Sequence, residues 1–383
     1  MPVFGYDDIG THATMLVDEV RMRAFAAAIA RAVRPGEIVV DVGSGSGVLA
    51  LLCAKAGARR VYAIERGPMA KLIEQAAITN GLANIVRVVR KDARDVSFDG
   101  PNDDKPTLMV SEMIGSFGID EDYLGLLGTV RARCAAGCWV LPATVSVQLA
   151  LASLPALSQE VATVRDGLGV RLHELAAMLL SRVSLAWVDA ASLVTTATPA
   201  ACFAVGDRPP RVVGGPVLAS RAASANAIVG WFHSELVEGV SLSSAPGEDK
   251  SHWSNVVFPL DAPLELVAGE QVELAVRPRM ITDRGTWSWS ARAGSVLRRG
   301  DAMGSIAGAK DDVLRQLGVR PLHVPTLDPR ASSRLQQWAK ALAGGVDELS
   351  VLASRLRAAD PGRYADQEDA EREIMALVRM ADS

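Results

Sequence analysis

Cysteine is scarce in this 383-residue chain, with only Cys53, Cys134, Cys138 and Cys202. That is too few for a disulfide scaffold, so the four are read as free buried thiols of a reducing compartment. The pair Cys134-x3-Cys138 has no second pair and no nearby histidine to complete a tetrahedral site, which excludes a structural metal there. No uninterrupted apolar run is long enough for a membrane span. The opening Met-Pro-Val-Phe-Gly-Tyr-Asp-Asp lacks a charged n-region and an apolar h-region. The expectation is therefore no signal peptide, no membrane contact and a cytoplasmic location. Repeats and low-complexity tracts are missing too. Nor is charge of one sign in excess: 40 Lys and Arg against 44 Asp and Glu leave a net −4. Such a balance offers no basic field for nucleic acid and suits a cationic peptide or protein somewhat better.

What is present fits an ordinary globular chain, with 49% hydrophobic and 22% charged residues and room for about two or three domains. Met15, Leu16, Val20, Met22, Phe25, Ala28 and Ile29 recur at helical spacing and predict one helix over 13–33. Pro35-Gly36 stops it. Strands over 38–42, 60–65, 85–89 and 108–112 then alternate with helices near 48 and over 71–80. That rhythm predicts an α/β unit with a doubly wound parallel sheet over residues 1–142. After Pro142 the runs at 145–154, 201–205, 227–236, 255–260, 272–276 and 286–293 are short, alternating and punctuated by Gly and Pro. They predict an antiparallel β-barrel or sandwich over 143–300, interrupted by a helical arm at about 157–184. A Pro-containing linker over 321–334 leads to helical segments at 335–342, 346–358 and 366–380, so 301–383 reads as a C-terminal helical module.

The first strand runs into Asp41-Val-Gly-Ser-Gly-Ser-Gly47. Glycines at a strand–turn–helix junction let backbone N–H groups approach a ligand. Gly43, Gly45 and Gly47 are spaced G-x-G-x-G, and Val48 stands where a dinucleotide fingerprint has its third glycine. Asp41 suits a cofactor amino group. Glu65 ends the next strand, where a carboxylate can take both ribose hydroxyls. Asp92, followed by Ala93, is placed for an adenine amino group. These features together point to S-adenosyl-L-methionine, with a nicotinamide or nucleotide enzyme, or a glycine cluster that serves packing alone, as the alternatives.

Downstream, Ser-Glu112-Met-Ile-Gly-Ser-Phe-Gly-Ile-Asp-Glu121-Asp carries two glutamates on one loop. A guanidinium has a pKa above ~12 and spreads its charge over three nitrogens, which makes it a poor nucleophile. Two carboxylates can fix its plane bidentately and draw charge away from the remaining nitrogen. The pattern suggests methyl transfer to a guanidinium. Two solvated loop acids remain the bland alternative, and Asp120 and Asp122 beside Glu121 make it less distinctive.

In several ordered blocks over about 4–300 the chain resembles the protein arginine N-methyltransferases. Tyr6, His12, Met15, Leu16, Asp18 and Arg21 match that family's N-terminal helix. Asp41–Gly47, Glu65, Glu112 and Glu121 match its cofactor loop, ribose carboxylate and double-glutamate loop, and Ser251-His252-Trp253 is similar to its Thr-His-Trp loop. The resemblance implies a class I methyltransferase sheet followed by a barrel, with the arm as dimerisation element. It also implies site roles. Arg21 would bind the cofactor carboxylate. His12 and Met15 would border the methionine end. Asp18 and His252 would pair, with His252 removing the released proton, and Tyr6, Met15 and Trp253 would line the acceptor pocket. Met113 and Ser116 depart from the family's aromatic positions, which implies a differently shaped pocket. Two other functions stay open: methylation of a small molecule or a non-arginine side chain, and a silent binding scaffold. The C-terminal helices are either a cap on the barrel or a winged-helix-like module that holds a leader peptide.

Overall fold

In the computed structural model, residues 9–99, 104–118, 123–167, 169–205, 207, 212–280, 285–302 and 354 are described. Tyr6, Glu121 and, apart from Ser354, the expected C-terminal helices lie outside them.

The N-terminal segment is two helices, α1 (Ile9–Val17) and α2 (Glu19–Ala32), not the single one its periodicity predicts. Asp18 makes the break. It sits in an extended conformation and its side chain accepts from Arg21 N, capping α2. Capping replaces a missing intrahelical acceptor at the cost of ending the preceding helix. Next come β1 (Ile38–Val42), α3 (Val48–Lys55), β2 (Arg60–Ile64), α4 (Met69–Thr79), β3 (Val86–Val89), β4 (Leu108–Val110), α5 (Tyr123–Arg131) and β5 (Trp139–Leu141). The five strands form one parallel sheet in the order β3-β2-β1-β4-β5. β1 is buried along its whole length, as a central strand covered on both faces must be.

A cis Leu141–Pro142 bond leads into the antiparallel part. It contains β6 (Thr144–Ala152), α6 (Pro155–Ala162), α7 (His173–Leu180), β7 (Ser184–Ala186), β8 (Thr198–Phe203), β9 (Val213–Leu218), β10 (Ala223–Val237), β11 (Val240–Ser243), β12 (Asn255–Leu266), β13 (Gln271–Met280), β14 (Gly285–Ala293) and β15 (Val296–Asp301). One sheet runs β7-β12-β10-β6-β8 with β11 on β10, and the other runs β15-β14-β13-β9. Phe258 of the first sheet meets Trp287 and Trp289 of the second in a shared aromatic core. Four of these strands, β7, β9, β11 and β15, have no counterpart in the sequence reading. β7 and β11 are very short, and β9 contains Gly214, Gly215 and Pro216, which read as a loop. β10 and β12 also extend beyond the predicted runs.

The arm consists of α6 and α7 joined through a π-helical turn. Its root is pinned by Asn226, whose Oδ1 accepts from Leu154 N and whose Nδ2 donates to Leu154 O and Ser158 Oγ. Val170, Leu175 and Met178 on the arm are exposed. Three of the four thiols are buried, but Cys202 is exposed on β8, against the expectation that all would be interior. Among the described residues, no helix is long and apolar enough to cross a membrane.

Candidate active site

In an open parallel sheet, ligands bind beyond the carboxyl ends of the strands, where the strand order reverses. Here that point lies between β1 and β4. The glycine turn follows β1 and Glu112 follows β4, so the topology sets the two motifs side by side.

α2 and the loop before β12 close the crevice from the other side. Asp18 Oδ2 accepts from His252 N at 2.8 Å and pairs with His252 Nδ1 at 2.7 Å. Burial pushes the Asp18 carboxyl up, but the backbone N–H groups of Arg21 and His252 and the His252 ring outweigh it, and its pKa falls below the ordinary value. An ionised carboxylate only accepts, so Nδ1 carries the hydrogen, and in a neutral ring Nε2 holds the free lone pair. Asp18 and Arg21 do not form the side-chain ion pair that their spacing on one helix would allow. Instead, the Arg21 guanidinium reaches Glu112, where Nε and Nη2 both donate to Oε2, at 2.9 and 2.6 Å. Both side chains are only 6% exposed. Arg21 Nη1 donates to Met15 O and Met22 Sδ, and the cation lies over Phe25.

The glycine turn fits a close-lying cofactor. Gly43, Gly45 and Gly47 all have positive φ, at 70, 52 and 79°. A Cβ on Gly45 would stand 2.7 Å from His12 Cε1, and one on Gly43 2.9 Å from Met113 Sδ. His12 is thus packed on the turn, and Met113 spans from the loop after β4 to it. Glu65, half-buried at the end of β2, accepts from Gly45 N at 2.9 Å and Gly67 N at 2.6 Å. A carboxylate held by two amides retains lone pairs for hydroxyl donors. Asp92 accepts from Arg94 N and lies near the guanidinium groups of Arg66 and Arg94, with Ala93 buried beside it. Asp41 is placed differently from the expectation of a cofactor-facing carboxylate. Its Oδ2 accepts from Ala50 N at 3.1 Å, while Oδ1 is sealed in without a hydrogen-bond partner among the described residues. Burial raises its pKa to about 7, against the pull of its hydrogen bonds and of Arg21.

A family model described as the TRM5/TYW2 methyltransferase domain matches residues 18–113, from the α2 cap through Glu112. Arginine N(omega)-methyltransferase of Streptomyces achromogenes subsp. streptozoticus is 30% identical over 290 residues, 69% of this chain and 74% of that protein. The chain belongs to the arginine N-methyltransferase family. Protein arginine N-methyltransferase 1 of Oryza sativa subsp. indica is 27% identical over 278 residues, 70% of this chain and 71% of that one. Two solved structures share the fold. The Trypanosoma brucei PRMT1 enzyme–prozyme heterotetrameric complex with AdoHcy has a TM-score of 0.71 at 20% identity, covering 77% of this chain and 99% of that one. Arabidopsis thaliana protein arginine methyltransferase 10 has a TM-score of 0.68 at 21% identity, covering 78% and 99%. As a member of the family, the chain is an S-adenosylmethionine-dependent methyltransferase.

The structure of this arginine N-methyltransferase family member brings His12, Arg21, Glu112, the glycine turn, Asp18 and His252 to one crevice. Trp253 is buried, not open to the crevice. It packs edge-on against Phe232 at 5.1 Å and backs the His252 ring at 4.0 Å. Sequence reasoning missed two kinds of residue. Ser111, fully buried, donates from Oγ to Val42 O at 2.8 Å and ties the Glu112 strand end to β1. Asn255 holds the His252 loop: its Oδ1 accepts from Val188 N and its Nδ2 donates to Ser244 O. A lone Ser or Asn gives no periodic signal, so neither was visible beforehand.

Proposed function

We propose that this enzyme transfers the methyl group of S-adenosylmethionine to a terminal nitrogen of an arginine guanidino group carried by a peptide or protein. The observation that carries this reading is the state of Glu112. One of its oxygens already holds a guanidinium, that of Arg21, in a buried site between the glycine turn and the His252–Asp18 pair. Among the described residues, its other oxygen, Oε1, has only a long contact from Ile114 N at 3.3 Å. A second guanidinium can dock there and complete a shared carboxylate, with Glu121 as the opposing clamp. Bound cofactor supplies a sulfonium methyl.

The protein residues do the rest by placement and charge. The Glu65 carboxylate takes the ribose, and Asp92 and Ala93 border the adenine. His12 and Met15 flank the methionine end. Arg21 keeps an Nη2 hydrogen for the cofactor carboxylate while holding Glu112 in place. His252 takes the proton released on methylation at Nε2, with Asp18 fixing the tautomer. Trp253 acts by backing His252, and Tyr6 belongs to the acceptor side. Asp41 acts on the turn itself rather than on the cofactor.

The two antiparallel sheets form the barrel that carries the acceptor, and the enzyme is a cytoplasmic homodimer. The exposed Val170, Leu175 and Met178 of the arm support the dimer. The organisation is a cofactor domain to 142 and a substrate domain over 143–300; the expected module over 301–383 lies outside the described residues apart from 301, 302 and 354.

A second reading, free arginine as acceptor, is favoured by the name of the Streptomyces relative, which specifies arginine without a protein. Incubation with methyl-labelled cofactor and either free arginine or an arginine-containing peptide, followed by tandem mass spectrometry, tests both. Label on a guanidino nitrogen is the expected result, and the better acceptor selects between the two. Label on another group, or on neither substrate, contradicts the proposal.

A further inference from the structure

The loop after Glu112 does not merely follow β4; it is wedged into the antiparallel part. Phe117 is fully buried and lies edge-on to Phe258 at 5.5 Å and to Trp287 at 5.7 Å, touching both sheets. Its ring fills space that exists because residue 230, in the middle of β10, is glycine. A Cβ there would stand 2.3 Å from Phe117 Cε2 and 2.9 Å from Cδ2. The next residue, Gly118, has φ +72°, and a Cβ on it would stand 2.8 Å from Val145 Cγ1 and 3.6 Å from Phe232 Cβ. Both the wedge and its neighbour thus press directly on the sheet.

These contacts close a ring through three parts of the molecule. Glu112 is bonded to Arg21, and Arg21 N to Asp18. Asp18 pairs with His252, whose ring rests on Trp253. Trp253 packs on Phe232, and Phe232 faces Gly118 of the loop that starts at Glu112. Hydrogen bonds make one half of the ring, and tight aromatic packing makes the other. The polar half has freedom to re-form at slightly different separations, whereas the packed half does not, because interiors are dense and stiff.

We propose that Phe117 is a positioning residue. Its contact with Gly230 sets the distance between the Glu112 carboxylate and the His252–Asp18 pair, and so the seating of the acceptor. This inference rests on the reading of Glu112 as an acceptor carboxylate. A ring displaced by an added methyl must retreat from 2.3 Å to an ordinary carbon contact of about 3.5–4.0 Å. A shift of about 1 Å in a reacting geometry lowers rate by up to roughly 100-fold.

The test compares wild type, Gly230→Ala, Phe117→Leu and the double variant. The measurements are acceptor kcat and KM, cofactor affinity and thermal stability, with Glu112→Gln run alongside. Gly230→Ala is expected to lower acceptor kcat/KM by roughly 10- to 100-fold while cofactor affinity is unchanged. Adding Phe117→Leu, which frees the space, should restore most of the loss. Wild-type kcat/KM in Gly230→Ala overturns the inference, as does a loss that tracks cofactor affinity and is not restored in the double variant. If Gly230→Ala does not fold, Phe117→Leu decides alone: reduced acceptor kcat/KM at unchanged cofactor affinity supports the inference, and wild-type kinetics overturn it. Glu112→Gln separates the levels. Retained turnover there removes the underlying reading, whereas lost turnover beside silent Phe117 and Gly230 variants removes only the positioning role.

Discussion

Replacing Asp18 by asparagine isolates one charge. Asn caps helices about as well as Asp, so Arg21 N, which donates to Oδ1 at 3.0 Å, keeps an acceptor. The negative oxygen facing His252 is lost. It now accepts from His252 N and Nδ1 at 2.8 and 2.7 Å, and an amide NH2 in its place meets donors with a donor. A hydrogen bond to a charged group contributes about 1.5–3 kcal/mol. At ~1.4 kcal/mol per decade, misorienting the ring by that much lowers kcat roughly 10- to 100-fold. Asp18→Ala should lose similar activity but a further ~1 kcal/mol of stability, because the cap goes too. The assays are turnover with labelled cofactor at saturating acceptor, calorimetric cofactor binding and thermal melts.

The pH dependence adds a check with a defined sign. The folded Asp18 carboxyl titrates below its ordinary 3.8, so its contribution to stability is present above that pH and is lost as pH falls through the folded pKa. The stability gap between wild type and Asp18→Asn should therefore close in acid. Wild-type kcat in Asp18→Asn would refute the argument that this pair orients the proton acceptor.

Two further outcomes follow from buried charges. Glu112→Gln leaves the Arg21 cation, 6% exposed, without its counter-ion. Breaking a buried pair costs about 3–5 kcal/mol, less here because the amide oxygen still accepts. Turnover should fall by ~100-fold or more with cofactor binding largely kept, and turnover within a few-fold of wild type would contradict the clamp. For Asp41, burial raises the folded pKa from 3.8 to about 7. Its contribution is fully present below 3.8 and is lost as pH rises through about 7. Denaturant titrations should show Asp41→Asn gaining on wild type between those values, and parallel curves would show that Asp41 does not titrate there.

The sequence was informative wherever a local rule carries the information. Alternating strands and helices gave the parallel sheet, and the spacing of Gly43, Gly45 and Gly47 gave a turn that the structure holds at positive φ. The break at Asp18 was also readable in principle, since Asp followed by Glu19 is a helix start. The continuous apolar periodicity across it masked the signal. β9 was missed because Gly214, Gly215 and Pro216 speak against a strand, yet β13 and the second sheet override that local preference.

By itself, then, the sequence determined the chemistry available: a glycine turn, an acidic loop, and a His-Trp pair, each defined by neighbours within a few residues. Beyond the Asp18–His252 pairing that the family resemblance implies, only the tertiary structure decided who meets whom. Asp18 and His252 are 234 positions apart and Arg21 and Glu112 are 91 apart, so no local spacing could join them. Asp18 turns from Arg21's side chain to His252, and Arg21 from Asp18 to Glu112, because the folded crevice supplies better partners than their own helix. Phe117 acquires a place only because a glycine on a distant strand leaves room for its ring. Packing of that kind depends on shape across the whole fold, which a one-dimensional pattern does not encode.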